Sequence, residues 1–263
     1  MTMRLLNGHQ NSPISLLPFD LVLDASARKQ LRKNAHEVSV GQGQIIAEQG
    51  DLGLELLLLT EGVVKLSKVL PDERRMIVAF RAPGDIVSLH RCDTPWPATA
   101  QAISDCRLVK IRWDDFRRIA DQNPALDRTL FELASDEATI LQNRVLTLGR
   151  KTTEERLASF LLDFSLPSAA PSSFSREIFL PMRRPEIADY LGMTTESISR
   201  EFTRFKRQRI IAMPRPSRVI ILNRLALEAV AMGKPGLGSR TLDTKAPDRA
   251  PEQQDPATTA AQS

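Results

Sequence analysis

Residues 180–222 read LPMRRPEIADYLGMTTESISREFTRFKRQRIIAMPRPSRVIIL, and this stretch decides the fold of the C-terminal part of the chain. The apolar residues Ile187, Leu191, Ile198 and Phe202 recur at helical spacing and predict one buried seam. Gly192 lies between the two halves of this seam and marks a tight turn. The pattern therefore predicts two helices joined by a turn and followed by a short hairpin.

The second predicted helix carries a polar face on the side opposite the seam. This face contains Glu196, Ser199, Arg200, Arg204 and Arg207. A helix with such a face can enter the major groove of DNA and contact both base edges and phosphates. The alternative is an ordinary solvated helix with a Glu–Arg pair four residues apart. We expect the DNA-binding alternative, because the turn and the hairpin accompany the helix.

The basic residues of the chain are concentrated in the same segment. The whole chain has a formal net charge of +4. Residues 176–232 hold eleven Lys or Arg and six Asp or Glu, so this segment carries +5 and the rest of the chain −1. A basic segment favours a polyanionic partner through counterion release, although a basic surface can also be merely solvated.

The N-terminal half has a different pattern. Short β-prone runs between about residues 35 and 112 are separated by turns that contain glycine, which is typical of a β-barrel or sandwich. We expect an α+β protein with an N-terminal β-barrel or sandwich at 18–121 and a C-terminal helix-turn-helix with a hairpin at 151–232.

Residues 122–150 are predicted to form a long helix between these two parts. Leu126, Leu133 and Ile140 are spaced by seven, which is typical of a seam between two helices of a dimer. The alternative is a helix that packs on its own domain. We predict that these three residues form the interface of a homodimer.

The remaining segments show no clear helical or strand periodicity. Residues 1–17 are predicted to be a flexible arm, 166–175 a loop rich in proline and serine, and 233–263 a disordered tail that cannot bury a core. No apolar run is long enough for a membrane span, and the N-terminus lacks the apolar segment of a signal peptide. Two cysteines do not make a disulfide framework, so we expect a cytoplasmic protein with reduced thiols.

The chain resembles the Crp/Fnr family of bacterial transcription regulators over about residues 18–230, and its FixK-like branch in particular. The strings that carry the resemblance are TEGVVKL, PGDIVSL, LGRKTTEERLASFLLDF and LPMRRPEIADYLGMTTESISREFTRF. The resemblance implies a β-barrel of the cyclic-nucleotide-binding type (a jelly roll), a dimerisation helix and a winged helix-turn-helix. It also implies a homodimer that binds a palindromic operator in double-stranded DNA.

The resemblance assigns roles to residues of the second helix. Its E-x-x-S-R motif falls on Glu196, Ser199 and Arg200 and implies half-sites arranged as TTGAT-N4-ATCAA. Glu196 would accept a hydrogen bond from a cytosine amino group, and Arg200 would donate two to guanine. Phosphate contacts, which position the protein without specifying sequence, are expected from Arg184, Arg204, Lys206, Arg207, Arg215 and Arg218. Arg183 departs from the family pattern, since many relatives have a helix-capping Thr there.

The N-terminal half lacks the sensor motifs of several relatives. The region that would bind cyclic AMP, GDIVSLHRCDTPWPATAQA, has no Glu and no Arg-Ser pair. Residues 1–91 contain no cysteine, so Cys106 alone could not hold an iron–sulfur cluster. We expect no metal and no cofactor. Cys106 is expected to be a buried strand residue and Cys92 a loop residue, although a reactive Cys92 stays open, as does a ligand-responsive sensor for haem, NO or another small molecule.

RNA polymerase is the second partner that the resemblance implies. The polar turn LPDERRM at 70–76, with Asp72 and Glu73, and the loop 166–175 are the candidate contacts, and both can equally be ordinary connections. No catalytic triad, carboxylate pair or glycine-rich phosphate loop supports an enzyme. The resemblance implies a transcription regulator, expected to be an activator in function, of genes for low-oxygen, respiratory or nitrogen-oxide metabolism.

Overall fold

The computed structural model describes residues 18–19, 22–88, 90, 94–165 and 176–234. The predicted arm at 1–17, the loop at 166–175, Cys92 and residues 235–263 of the predicted tail lie outside the described residues. No helix within these ranges is both long enough and apolar enough to cross a membrane.

The N-terminal part is built mainly of strands. Its elements are α1 (Ala25–Lys33), β1 (Ala35–Val40), β2 (Ile45–Ala47), β3 (Glu55–Glu61), β4 (Val64–Val69), β5 (Arg75–Arg81), β6 (Thr99–Ala102), β7 (Cys106–Arg112) and α2 (Trp113–Ala120).

The C-terminal part is mainly helical and begins with a long helix. Its elements are α3 (Pro124–Arg150), α4 (Thr153–Phe164), β8 (Glu177–Phe179), α5 (Arg184–Leu191), α6 (Thr195–Arg207), β9 (Ile211–Arg215), β10 (Arg218–Ile221) and α7 (Arg224–Ala231). The predicted α+β class and the predicted order of strands, long helix and helix-turn-helix are confirmed.

Two antiparallel sheets form the N-terminal part, with strand orders β1-β7-β3 and β2-β6-β4-β5. Strand β3 explains how they pack, since successive side chains of a strand point to opposite faces. Leu56 and Leu58 join a core with helices α1 and α2, whereas Leu57 and Leu59 join the core between the sheets. All four are at most 3% exposed. The apolar run ELLLLTE is therefore a strand buried on both faces.

Helix α3 begins with Pro124 in its first turn, where the missing N–H needs no partner. The structure shows the surroundings of the three predicted interface residues on this helix. Leu126 is 0% exposed in the core shared with α1 and α2, and Leu133 packs against the same core. Ile140 is half-buried and lines a cleft beside α4 and α5. These three residues face their own chain, because the spacing of seven marks the side of α3 that packs on the neighbouring elements.

A third apolar core joins the strand domain to the C-terminal helices. Ile77 and Phe80 of β5 belong to the same buried cluster as Phe164 of α4 and Tyr190 of α5. The ring centroid of Phe80 lies 5.0 Å from that of Tyr190 and 6.1 Å from that of Phe164. Burial of large aromatic rings contributes strongly to stability, so the two parts are held together by packing as well as by α3.

The C-terminal part has the layout of a winged helix. Helix α4 begins with a capping box, in which the Thr152 hydroxyl accepts from the Glu155 N–H and the Glu155 carboxylate accepts from the Thr152 N–H. Strands β8, β9 and β10 form a sheet in the order β8-β10-β9 beside α5 and α6. The hairpin of β9 and β10 is the predicted wing.

A turn after β5 places the carboxylate of Asp85 close to a buried arginine. Asp85 Oδ2 accepts a hydrogen bond of 2.8 Å from the Ala82 N–H. Beside it, Arg81 is 9% exposed and pairs with Glu137 of α3 at 2.7 Å. Burial raises the pKa of Asp85 from 3.8 to about 6, against the opposing effects of the Ala82 N–H and of Arg81.

This raised pKa predicts a pH-dependent stability. Between pH 4 and 6 the folded state binds more protons at Asp85 than the unfolded state, so its contribution to stability falls as pH rises. Asp85→Asn should therefore be more stable than the wild type at pH 7.5, by about 1–3 kcal/mol, and equally stable near pH 3, below both pKa values. Urea unfolding of both proteins across this range measures the difference. The exposed Asp121→Asn is the control; a constant difference between Asp85→Asn and wild type would contradict the prediction.

Candidate DNA-binding surface

The helix-turn-helix is formed by α5 and α6. Gly192 ends α5 with φ 60° and ψ 44°, a left-handed conformation that glycine adopts without strain. Thr194 then caps α6, since its hydroxyl accepts a hydrogen bond of 3.1 Å from the Ser197 N–H. The predicted seam is confirmed: its four members are at most 3% exposed, namely Ile187, Leu191, Ile198 and Phe202.

The opposite face of α6 is open to solvent. The side chains of Glu196 and Arg200 are 76% and 69% exposed, and Arg200 Nη1 lies 3.3 Å from Glu196 Oε1. An exposed ion pair of this kind contributes little to stability, so both side chains are free to exchange each other for base edges. Ser199 lies between them and donates its hydroxyl proton to the Thr195 carbonyl at 2.8 Å.

Three of the candidate phosphate ligands project into solvent. Lys206 and Arg207 are exposed at the C-terminal end of α6, and Arg215 is exposed at the end of β9. Arg215 and Arg218 are paired across the wing hairpin. The structure thus presents positive charge on the last turn of α6 and on the wing, which flank the outward face of α6.

The other three candidates already have partners within the chain. The guanidinium Cζ of Arg184 lies 3.4 Å from the ring centroid of Phe202, and burial lowers the pKa of Arg184 to about 10. Arg204 pairs with Glu154 of α4 at 2.9 Å, and Arg218 donates to Glu177 at 2.7 Å. Arg184 therefore stacks inside the helix-turn-helix, whereas Arg204 and Arg218, both about half exposed, would have to exchange a carboxylate for a phosphate.

The start of α5 is capped although Arg183 stands where many relatives have a capping Thr. The Arg183 side chain makes no capping hydrogen bond at the start of α5. Glu186 takes over that end instead, because its Oε2 accepts from the Arg183 N–H at 2.8 Å while its Oε1 accepts from Lys65 Nζ of β4 at 2.8 Å. The positioning helix is thus capped from its third residue and tied to the strand domain by the same carboxylate.

Sequence reasoning missed an exposed apolar stripe on α3. Its larger members, Phe131, Leu141 and Val145, are 73%, 46% and 71% exposed. With Ala134 and Ala138, which are also exposed, they follow the alternating spacing of three and four that is typical of a coiled-coil seam. We call these five residues the α3 stripe. The signal was present in the sequence, but it competes with a second apolar series on the same helix.

The strand domain gives no cluster of ligating residues. Within the described ranges, no group of three or more His, Cys, Asp or Glu side chains could hold a metal ion. Cys106 is 2% exposed at the start of β7, and burial raises the pKa of its thiol, which confirms its interpretation as a buried strand residue. His90 is half-buried with its ring centroid 4.7 Å from that of Trp96.

The polar turn between β4 and β5 is exposed and tightly folded. Asp72 Oδ2 accepts from Arg74 Nε at 2.8 Å, and Asp72 Oδ1 accepts from the Arg74 N–H at 3.2 Å. Glu73 has φ 66° and makes the corner of the turn. Asp72 therefore shapes the turn, whereas the carboxylate of Glu73 is exposed at its tip.

Two family models match the chain in the same order as the two parts of the fold. Residues 37–123 match the cyclic nucleotide-binding domain, and residues 155–230 match the Crp-like helix-turn-helix domain.

Relatives and solved structures agree with these matches. The chain is 33% identical over 191 residues to the nitrogen fixation regulation protein FixK of Bradyrhizobium diazoefficiens, covering 73% of this chain and 80% of that protein. It is 31% identical over 194 residues to the transcriptional activator protein Anr of Pseudomonas aeruginosa, covering 73% and 79%. The structure of FixK2 from Bradyrhizobium japonicum matches with a TM-score of 0.69 and 28% identity, covering 74% of this chain and 96% of that one.

The identity to FixK, the share of its length that is covered and the two domain matches lead to one conclusion. The chain belongs to the Crp/Fnr family of DNA-binding transcription regulators, whose members are not enzymes, and it is similar to the FixK proteins within it.

Proposed function

We propose that this protein binds, as a homodimer, a palindrome like TTGAT-N4-ATCAA and that its base contacts come from Glu196, Ser199 and Arg200. One observation carries the proposal: Glu196 and Arg200 lie one turn apart on the exposed face of α6, whose other face is buried. A carboxylate and a guanidinium at this spacing match adjacent cytosine and guanine edges in the major groove. Phosphate contacts come from Lys206, Arg207 and Arg215, with Arg204 and Arg218 joining on exchange of their carboxylates.

The second subunit covers the α3 stripe. An apolar seam with alternating spacing of three and four fits a second copy of the same helix better than a different partner, because the seam is self-complementary about a two-fold axis. The same axis relates two half-sites of a palindrome. The interface thus lies on α3 as expected from the sequence, but on the side away from Leu126, Leu133 and Ile140.

Regulation by a bound effector is not part of this proposal. Arg81, which lies where the strand domain faces α3, donates to Glu137 at 2.7 Å and to the Val87 carbonyl at 3.2 Å, so two of its nitrogens are already engaged within the chain. The protein therefore binds DNA as purified, in the cytoplasm without metal or cofactor, and the amount of protein sets its activity. The genes concerned are those of low-oxygen, respiratory or nitrogen-oxide metabolism, which rests on the likeness to FixK and Anr.

Selection of bound DNA from a random pool tests the proposed function. Protein purified in air should select TTGAT-like half-sites in inverted orientation, and the selected sequences should not change on addition of cyclic AMP or on removal of oxygen. Arg200→Ala is the control for selection through α6. Binding that requires cyclic AMP or anaerobic reconstitution, or selection of an unrelated motif, would contradict the proposal.

One observation favours a sensor as the second candidate. Both ring nitrogens of His90 are buried, and burial lowers the pKa of the imidazole against the opposing effect of the Ser88 backbone. A neutral imidazole of this kind can ligate haem iron. The absorption spectrum of the purified protein decides between the two candidates, since a Soret band that His90→Ala removes would favour the sensor.

Activation would require a contact with RNA polymerase, and we propose the turn at 70–76 for it. Glu73 is exposed at the corner of this turn, while Asp72 holds the turn in shape. Glu73→Ala, with Asp72 left in place, should leave DNA binding intact and lower transcription by purified polymerase at saturating DNA occupancy. Transcription equal to that of the wild type would remove this turn from the mechanism. The loop at 166–175, the other candidate, lies outside the described residues.

A further inference from the structure

Arg144 joins three elements near the C-terminal end of α3. Its Nη2 donates to the Ile77 carbonyl of β5 at 2.9 Å and to the Tyr190 carbonyl of α5 at 2.5 Å. Its Cζ lies 3.7 Å from the centroid of the Tyr190 ring. The planar guanidinium can donate and stack at the same time, so one side chain bridges the strand domain, the long helix and the helix-turn-helix.

These contacts depend on a single orientation of the helix-turn-helix. The two acceptors are backbone carbonyls of different parts of the chain, 113 residues apart in sequence. Burial lowers the pKa of Arg144, and the two carbonyl dipoles and the Tyr190 ring face offset part of the cost of holding its charge away from water. A rotation of α5 relative to α3 would leave this buried cation without its acceptors, at a high energetic cost.

Arg156 of α4 makes a second bridge next to the first. It donates to the Leu148 carbonyl at 2.8 Å and the Lys151 carbonyl at 2.9 Å, both at the end of α3. It also donates to the Leu191 and Gly192 carbonyls, at 3.0 and 3.2 Å. These last two residues form the turn before α6, so the start of the recognition helix is tied to the end of α3.

The other end of α5 is also fixed. The ion pair of Lys65 and Glu186 is 2.8 Å long, and its side chains are 14% and 18% exposed. Helix α5 is therefore held at its N-terminus by β4 and at its C-terminus by β5, α3 and α4. In the last turn of α5 the Tyr190 carbonyl accepts from Arg144 of α3, whose Nη2 also donates to the Ile77 carbonyl of β5.

We propose that Arg144 is a positioning residue that sets the spacing between the two DNA half-sites. This inference rests on the proposed binding of a palindrome by a dimer joined along α3. In such a dimer the two-fold axis runs between the two copies of α3. The angle between α3 and α6 then determines where each copy of α6 meets the DNA. One additional base pair moves a half-site by about 3.4 Å and turns it by about 35° around the duplex, so a rigid connection accepts one spacing only.

Arg144→Lys tests the proposal while keeping the positive charge. Lysine is a compact point charge that cannot span two carbonyls and stack on a ring together. Affinity is measured for a set of operators with spacers of two to six base pairs. We expect the wild type to discriminate against the neighbouring spacings by about tenfold or more, and the variant by about threefold or less. Base preference within each half-site and the dimer seen in sedimentation should be unchanged.

Matched variants distinguish a specific effect on half-site spacing from a general loss of stability. Arg150→Lys makes the same substitution at an exposed site on the same helix and should keep the spacing preference. Tyr190→Phe keeps the ring and the carbonyl and should also keep it, whereas Tyr190→Leu removes the ring and should relax it. The Tyr190 pair decides the outcome if Arg144→Lys does not fold.

The result that overturns the inference is distinct from the one that overturns the proposed function. If the wild type prefers one spacing and both Arg144→Lys and Tyr190→Leu keep the same discrimination, Arg144 does not set the spacing. If the wild type binds a single half-site as well as any palindrome, the proposed two-fold operator is wrong, and the inference falls with it.

Discussion

Leu141→Asp should convert the protein from a dimer to a monomer and lower its affinity for a palindromic operator by about a hundredfold or more. Leu141 lies between Phe131 and Val145 in the α3 stripe and is 46% exposed, and in the proposed dimer the second subunit covers it. A carboxylate at this position would be left unpaired in an apolar seam, and the two-fold axis brings two copies of it together. A monomer then loses the gain from binding two half-sites at once, which reaches about 10²–10⁴ in linked modules.

Sedimentation and DNA-binding titration measure the two effects on the same samples. Thr139→Asp is the matched control, because Thr139 is exposed on the same helix outside the stripe and should stay dimeric. Leu133→Asp is a different kind of variant, since Leu133 packs on its own domain and its loss should lower the unfolding midpoint. A dimeric Leu141→Asp protein with wild-type affinity would place the interface elsewhere on the chain.

The helix-turn-helix could be predicted from the sequence because its signals are local. Helical periodicity places Ile187 and Phe202 in one seam, and both are buried. Glycine at 192 supplies the left-handed residue that a tight turn needs, and Thr194 supplies the cap of α6. Each of these signals lies within residues 187–202, so no knowledge of the rest of the fold was required.

The interface residues on α3 could not be chosen reliably from spacing alone. Two apolar series run along this helix, and the one that contains Leu126 is as regular as the α3 stripe. Which series faces the chain's own domain depends on where α1, α2 and the sheets lie, which is a matter of tertiary packing. The alternation of three and four in the α3 stripe was a local clue, because a spacing of seven alone does not distinguish one side of a helix from another.

The contacts between the strand domain and the helical part could not be predicted from the sequence either, because they also depend on tertiary packing. Phe80 lies in a run, RMIVAF, that predicts an ordinary strand, yet its ring enters the core of the helical part. Arg144 looks like any polar residue of a long helix, and its acceptors are backbone carbonyls, which leave no mark in a sequence. Backbone acceptors and interdomain packing become visible only when the chain is folded.

The sequence alone also could not show which basic residues are available to contact DNA phosphates. A count of basic residues treats Arg184 and Arg207 alike, but Arg184 stacks on Phe202 while Arg207 is exposed at the end of α6. Pairing within the chain lowers the charge that DNA meets, because Arg204 and Arg218 already face carboxylates. The exposure of a basic side chain and its pairing within the chain, rather than its residue type, therefore indicate which residues are placed to contact phosphates.

Arg200→Ala should lower affinity for the palindrome by about 1–3 kcal/mol for each half-site and relax the preference at one guanine in each. The wild-type guanidinium is 69% exposed and held only by an exposed pair with Glu196, so its removal should leave the fold unchanged. The loss therefore reports a base contact rather than instability. Titration of the variant against operators with all four bases at that position measures it.

Arg207→Ala provides the contrast that separates base contacts from phosphate contacts. Arg207 lies two turns beyond Arg200 at the end of α6, where it is placed for a phosphate. Its removal should weaken binding to every sequence to a similar extent and reduce the salt dependence by about one ion. Arg200→Ala should instead change the ranking of sequences. If Arg200→Ala lowers affinity uniformly and keeps the base preference, the guanidinium contacts a phosphate, and the guanine must be recognised by another residue of α6.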